Sequence, residues 1–262
     1  MQQLARDPQQ LAISLNLGGQ RAEYKPAITC QIIALLFLAV IGFAIIGFFM
    51  LYTGSTFLLP LVLGGVGLFI VILLGIVSLY RKRNMRILVY EQGFVYIGQK
   101  DNMRVIRWDQ IACVWHKVTV STSTSRNADG TSSTSTSYSH SYTIECFDKT
   151  TLVLHETFAR LQEIGKIIER ESARYLLPNA QRAFHHGQPL SFGPLSINMT
   201  GITAHRGAFL PWQEVKDVII NENYGNVAIR KKGKWLNWAS YKLEQIPNVV
   251  VFQTLAKSMI GR

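Results

Sequence analysis

The longest apolar stretch of the chain runs from Pro26 to Tyr80 and contains no Asp, Glu, Lys, Arg or His. A bilayer core about 30 Å thick is crossed by roughly 20 helical residues, so this stretch is long enough for two spans. The small polar segment Thr53–Thr56 divides it. We therefore predict a transmembrane helical hairpin over residues 27–80, which makes the protein an integral membrane protein with two spans.

Basic residues flank this predicted hairpin, and its connecting turn carries no charge. Arg21 and Lys25 precede it, and four juxtamembrane basic residues follow it: Arg81, Lys82, Arg83 and Arg86. Basic residues are retained on the cytoplasmic side of a membrane. The predicted localisation is therefore the cell membrane, multi-pass, with both termini cytoplasmic. In the N-terminal segment, residues 1–26, apolar and polar positions alternate from Leu11 to Leu17, which fits either a short strand or a disordered segment.

The remainder of the chain contains a repeated pattern. A strand, a glycine turn and a second strand begin near residues 87 and 195, and each is followed by the run Trp-x-x-Ile/Val-x-x-Val, led by Trp108 and Trp212. A strand hairpin and an amphipathic helix close each copy. Such an order predicts a tandem repeat of α+β units, each with an antiparallel sheet and a C-terminal helix. We expect both indoles to be buried against the closing helices.

This order of elements resembles the bacterial pleckstrin-homology-like (PH-like, GRAM-like) domains. The tandem behind a membrane segment is similar to an uncharacterised prokaryotic membrane-anchored family. The resemblance implies an α+β fold with two PH-like antiparallel sheet or barrel domains, each closed by a C-terminal helix, over residues 86–176 and 187–262, joined by a linker at 177–186. It also implies binding or assembly modules. The turns Glu91–Gly93 and Met199–Gly201 are not basic, which argues against inositol-phosphate recognition through the first loop.

The first copy carries an extra segment, residues 119–143, in which 16 of 25 residues are Ser or Thr. Asp129-Gly130 in its middle is a strong signal for a two-residue hairpin turn. The segment has almost no apolar face to bury, so we predict an exposed β-hairpin insert. A phosphorylated tract is the alternative.

The chain is basic, with 27 Lys and Arg against 16 Asp and Glu and a net charge of +11. This charge favours an anionic partner. The densest cluster comprises Arg230, Lys231, Lys232, Lys234 and Trp235. It is either a solvated turn or a contact for anionic lipid headgroups or a protein partner. No nucleic-acid-binding motif accompanies the charge, so a nucleic acid partner is not predicted.

Catalytic signatures such as GxSxG, GxxxxGK[ST], HExxH and GxGxxG do not occur in the sequence. His116, His140 and His205 are isolated, and the three cysteines are widely spaced. We therefore predict no enzyme activity, no cofactor and no catalytic or metal-binding residue. The predicted function is a membrane-anchored binding or scaffold protein that presents two PH-like domains to the cytoplasm. The alternative is a peripheral reader of anionic membrane lipid through the basic and tryptophan surface of the second domain.

Overall fold

The computed structural model describes residues 8–52, 58–99, 102–126 and 130–260. The chain divides into two compact units. The first takes its residues from Met1–Val105 and Thr157–Ala159, and the second from Ile106–Glu156 and Arg160–Arg262. Residues 86–105 of the first predicted domain thus belong to the first unit.

The first unit contains a four-stranded sheet covered by a short helix. Helix α1 spans Pro8–Ser14, and the strands are β1 (Gln20–Tyr24), β2 (Arg86–Tyr90), β3 (Gly93–Ile97) and β4 (Met103–Arg107), in that order across the sheet. The last two residues of β4 are counted in the second unit. Ala12 and Leu17 are buried in one cluster with Leu88 and Val95. The alternating N-terminal segment therefore forms neither the strand nor the disordered segment expected. Its exposed Ile13 shows that the alternation did not mark a buried face.

Two further helices of the first unit occupy the long apolar stretch. Helix α2 spans Thr29–Tyr52 and helix α3 spans Leu58–Arg83. Only Gly64–Arg83 is long and apolar enough, among the described residues, to cross a bilayer. The apolar segment Gln31–Gly42 is shorter than the roughly 20 residues that a span needs. The predicted two-helix transmembrane hairpin is therefore wrong, because the described residues show one candidate span, and the predicted turn at Thr53–Thr56 lies outside them.

The second unit begins with a long hairpin and a long helix. Strands β5 (Ile111–Arg126), β6 (Ser132–Cys146) and β7 (Thr151–Leu154) form an antiparallel sheet in that order, and helix α4 spans Leu161–His185. Helix α4 contains residues 177–185 of the predicted linker, so the connection there is helical.

Two smaller sheets and a final helix complete the second unit. Strands β8 (Leu190–Phe192), β9 (Leu195–Ile197), β10 (Gly201–Thr203) and β11 (Phe209–Pro211) form one sheet, and β12 (Val215–Asn221), β13 (Asn226–Lys231) and β14 (Asn237–Lys242) form the other. Helix α5 spans Val249–Met259. Its buried residues Phe252 and Leu255 share a core with Ile229 of β13 and Ile197 of β9.

The α+β class agrees with the sequence prediction, but the predicted closed PH-like barrels are wrong. The described strands form four small antiparallel sheets of three or four strands each. A barrel requires its first and last strands to be hydrogen-bonded to each other. Each of these sheets instead ends in two edge strands, and β8 to β11 are only three residues long.

The repeated order of elements is nevertheless present, and its two tryptophans occupy equivalent places. Trp108 and Trp212 each begin a 3₁₀ turn that leads directly into a strand, β5 in one case and β12 in the other. Their relative exposures are 0% and 5%. Trp212 Nε1 donates a hydrogen bond of 2.8 Å to the carbonyl of Asn198. The prediction that both indoles are buried is confirmed.

The β5–β6 hairpin is buried at its base and exposed further out. Its register runs from Ile111 opposite Cys146 to Arg126 opposite Ser132. Residues 119–126 and 132–138, which we call the outer hairpin, are all exposed. His140, Tyr142 and Ile144 are buried. The last residues of the predicted insert, 119–143, thus belong to the core, while Asp129 of the predicted turn lies outside the described residues.

Candidate functional site

The basic turn, residues Arg230–Leu236, leads from β13 to β14. The backbone N–H of Lys232 donates to the carbonyl of Glu214 at 2.8 Å, and the N–H of Lys234 donates to the carbonyl of Lys231 at 3.3 Å. Gly233 lies between them with φ of +70°, a left-handed conformation that glycine adopts without strain. This tight turn leaves Trp235 89% exposed and Leu236 59% exposed.

The positive charges of the basic turn are only partly neutralised. Lys231 Nζ lies 2.5 Å from Glu214 Oε2. The described ion pairs do not include Arg230, Lys232 or Lys234, and all three side chains are exposed. The five residues predicted from the sequence therefore lie in one turn, and Lys231 forms an ion pair within the protein. Three exposed cations and the exposed indole of Trp235 therefore lie together in this turn.

The four juxtamembrane basic residues have two different environments in the first unit. Arg81, Lys82 and Arg83 form the last turn of α3, where cations interact favourably with the helix dipole. Lys82 Nζ also donates to Gln31 Oε1 at 3.3 Å. Arg86 begins β2 and lies 3.7 Å from Glu23 of β1. Arg86 therefore has an acidic partner within the sheet, whereas the other three basic residues lie at the C-terminal end of α3.

A second polar group, which we call the histidine cluster, lies between the base of the long hairpin and α4. His116 Nε2 and His140 Nδ1 are 3.0 Å apart and share one hydrogen bond. The other ring nitrogen of His140 contacts the side-chain amide of Gln162. His116 Nδ1 lies 3.7 Å from Glu169 Oε1, and the ring of Tyr142 stacks on His116 with centroids 4.2 Å apart.

Burial sets the protonation of this cluster. Burial, with smaller contributions from the neighbouring His140 and Lys166, lowers the pKa of His116 to about 3. Burial also lowers the pKa of His140, although the negative charge of Glu156 acts to raise it. Burial raises the pKa of Glu169 to about 8, with Glu222 adding to the effect and Lys166 opposing it. Near neutral pH both imidazoles and the carboxyl group are therefore uncharged.

Reasoning from the sequence missed the histidine cluster because it treated His116 and His140 as isolated. The two residues lie on paired strands, where Tyr142 is opposite His116 and Val118 is opposite His140. Once the β5–β6 register is known, the two histidines are diagonal neighbours on one face of the hairpin. Gln162 and Glu169 approach from α4, a different element, and no local spacing links them to the strands.

Gly165 of α4 gives a test of the packing around this cluster. A Cβ at this position would collide with the ring of Tyr142, which is itself held by its stack on His116. We expect Gly165→Ala to destabilise the second unit by up to about 2 kcal/mol, because overpacking costs about 1–3 kcal/mol and the better helix propensity of alanine offsets only roughly 1 kcal/mol of it. Chemical denaturation followed by tryptophan fluorescence measures this change.

The control for this prediction is the double variant Gly165→Ala, Tyr142→Leu, compared with Tyr142→Leu alone. Removing the ring removes the collision, so alanine should then be neutral or stabilising. Equal destabilisation by Gly165→Ala in both backgrounds would contradict the proposed contact.

The part of the chain that the structure describes contains neither a metal-binding cluster nor a thiol with a lowered pKa. No group of three or more His, Cys, Asp or Glu residues there could hold a metal ion. Cys113 is half-buried and Cys146 is buried, and both are free thiols. Burial raises the pKa of both, which disfavours the reactive thiolate.

Comparison with known proteins adds one finding. No curated protein matches the chain. The sequence does match a family described as "Family of unknown function (DUF6585)", and the match covers residues 1–260. With nearly its whole length matched, the chain belongs to this family of unknown function, DUF6585.

Proposed function

We propose that this chain is a membrane-associated binding or scaffold protein without enzymatic activity, and that its basic turn contacts anionic lipid headgroups. Membrane association is supported by the apolar segment Gly64–Arg83, which is long enough to cross a bilayer. Basic residues are retained on the cytoplasmic side of a membrane, so Arg81, Lys82 and Arg83 support a cytoplasmic location for the end of this segment.

The observation that carries the lipid proposal is the exposure of Trp235 and Leu236 among uncompensated cations. An indole that is 89% exposed to water is stabilised in the headgroup layer, where tryptophan is enriched. Each Lys or Arg near an anionic surface contributes about 1 kcal/mol. Lys232 and Lys234 precede Trp235 in the same turn, so the apolar and the electrostatic contributions act at the same place. A turn that only had to be solvated would not need the apolar pair.

The experiment uses the full chain reconstituted into vesicles that contain a brominated lipid, which quenches nearby indoles. We expect stronger quenching in vesicles with phosphatidylserine than in neutral phosphatidylcholine vesicles, and this excess should fade as salt is raised. The excess should disappear in Trp235→Phe, because the other four tryptophans are not in the turn. Lys232→Gln with Lys234→Gln should weaken the contact about thirtyfold, at about 1 kcal/mol per charge.

A matched control lies in the turn between β6 and β7. Phe147 there is 64% exposed, and the neighbouring Lys149 Nζ donates to Glu145 at 3.0 Å, so this turn has an aromatic side chain but a neutralised lysine. Lys149→Gln should leave the quenching unchanged. Quenching that is equal in neutral and anionic vesicles, or an excess in anionic vesicles that survives in Trp235→Phe, would refute the lipid contact.

A further inference from the structure

The open edge of β5 is covered near its base and uncovered further out. Asn248, which precedes α5, donates its backbone N–H to the carbonyl of Val114 at 2.9 Å and accepts the N–H of Val114 on its side-chain oxygen at 3.0 Å. Gly225 then packs so closely on Val118 that a Cβ there would lie 2.6 Å from the Val118 Cβ. These contacts protect the edge as far as Val118.

The other edge of the hairpin is covered in the same way. Strand β7 pairs with β6 from Tyr142 to Glu145. Glu156 Oε1 then accepts the backbone N–H of His140 at 2.9 Å. Beyond these positions, the described strand pairings of the outer hairpin join its two arms only to each other. The fold thus protects both edges up to the beginning of the outer hairpin and stops there.

The outer hairpin lacks the features by which proteins usually guard exposed edges. Natural edge strands carry lysines, prolines or inward-pointing charges, or they are short. Residues 119–126 and 132–138 contain no Lys, Pro, Asp or Glu, and Arg126 is their one charged residue. Ser and Thr lie exposed on both faces. A two-stranded ribbon without a buried face is at best marginally stable in water, so an additional strand would stabilise it.

The two edges are not equally accessible. Because Val114 directs its backbone groups away from β6, alternation along the strand makes Val120, Thr122 and Thr124 do the same. A groove of about 400 Å³ lies on this side, lined by Lys117–Val120 of β5 and by Tyr224, Gly225, Lys242 and Glu244. A strand added along β5 can therefore continue into the groove. On the β6 side Glu156 and β7 end the open edge at His140.

We propose that the β5 edge of the outer hairpin pairs antiparallel with the same edge of a second copy of this chain. Two identical strands related by a two-fold axis supply each other's N–H and C=O groups in full. The edge is uncharged except for Arg126, and antiparallel pairing places the two Arg126 residues at opposite ends, so no like charges meet. An uncharged Ser and Thr edge offers nothing that would select an acidic or basic peptide, whereas a second copy matches it in length and chemistry.

A pair of proline variants tests which edge associates. Thr122 and Thr136 are opposite each other in the hairpin, and both direct their N–H groups away from the hairpin partner. Proline at either position therefore leaves the intramolecular ladder intact and removes one donor from one open edge. For the full chain in mild detergent, we expect sedimentation to show a dimer that Thr122→Pro weakens at least about tenfold and Thr136→Pro leaves unchanged. Equal weakening by both, or none by Thr122→Pro, overturns the proposal.

Cysteine crosslinking provides a readout that does not depend on the proline variants folding. Ser123 and Ser135 are opposite each other in the hairpin and equally exposed. Across a two-fold axis between β5 edges, Ser123→Cys approaches its own copy, whereas Ser135→Cys lies one strand away. We expect mild oxidation to give a disulfide-linked dimer with Ser123→Cys well above the wild-type background and not with Ser135→Cys. Faster crosslinking of Ser135→Cys, or none with Ser123→Cys, contradicts pairing through β5.

Discussion

Replacing Trp108 with alanine is expected to destabilise the second unit by about 3–5 kcal/mol, the usual cost of deleting a buried tryptophan. Among the described residues, Trp108 is the largest side chain with no exposure to solvent, and it begins the 3₁₀ turn that packs against α4 and leads into β5. Its removal leaves a cavity where the long hairpin meets the helix. Because domains are stable by only about 5–15 kcal/mol, this change should unfold much of the second unit near 37 °C.

The measurement is denaturant unfolding of the full chain followed by tryptophan fluorescence. All five tryptophans lie between positions 108 and 238, so the signal reports on the second unit even in the presence of the first. Trp235→Ala is the matched control, since it deletes the same side chain at an exposed position and should change the stability by less than about 0.5 kcal/mol. Similar losses in the two variants would show that Trp108 does not support the core.

The second large effect is a loss of stability in acid caused by His116. Its pKa is lowered to about 3 in the folded chain, whereas an unfolded chain takes up the proton near 6.5. Between these values the unfolded state binds more protons, so stability falls as the pH falls from 6.5 towards 3. The gap corresponds to about 5 kcal/mol at 1.36 kcal/mol per pKa unit. His140, whose pKa is also lowered by burial, acts in the same direction.

Glu169 acts in the opposite direction, which defines the shape of the pH profile. Its pKa is raised from 4.5 to about 8, so its contribution is complete below pH 4.5 and is lost as the pH rises through 8. Between pH 4.5 and 6.5 the two residues largely cancel. Below this range His116 alone continues to destabilise the fold, and above it Glu169 does. The histidine cluster should therefore give maximal stability in a mildly acidic window. The charged groups that act on the cluster are Glu156, Lys166 and Glu222.

Comparison of variants isolates the two contributions. His116→Gln should flatten the acid side of the profile. The free energy of unfolding of this variant should change with pH differently from that of the wild type, by about 1.36 kcal/mol per pH unit between pH 6.5 and 3. The difference approaches about 5 kcal/mol over the whole interval. Glu169→Gln should flatten the alkaline side. An acid limb that is identical in His116→Gln and the wild type would show that this residue does not titrate as proposed.

Several features could be predicted from the sequence because they follow from local chemistry or from repetition. The α+β class follows from a run of strand patterns closed by one helix pattern in each copy, and the burial of Trp108 and Trp212 follows from their equivalent places in two diverged copies. The exposure of the outer hairpin follows from a composition that has no apolar face. The basic turn could also be located from the sequence. A tight turn that contains glycine places neighbouring side chains together independently of the rest of the fold.

Other features depend on contacts between residues far apart in the chain, and only the tertiary structure determines them. The histidine cluster requires the β5–β6 register and the approach of α4, which carries Gln162 and Glu169. The ion pair between Lys231 and Glu214, which removes one charge from the basic turn, joins β13 to the 3₁₀ turn that precedes β12. The division into small open sheets likewise depends on which strands pair, and the closed barrels expected from the order of elements do not form. Local patterns specify which residues are buried. Long-range packing and strand register determine which groups those residues contact, because only they bring side chains from distant parts of the chain within hydrogen-bonding distance.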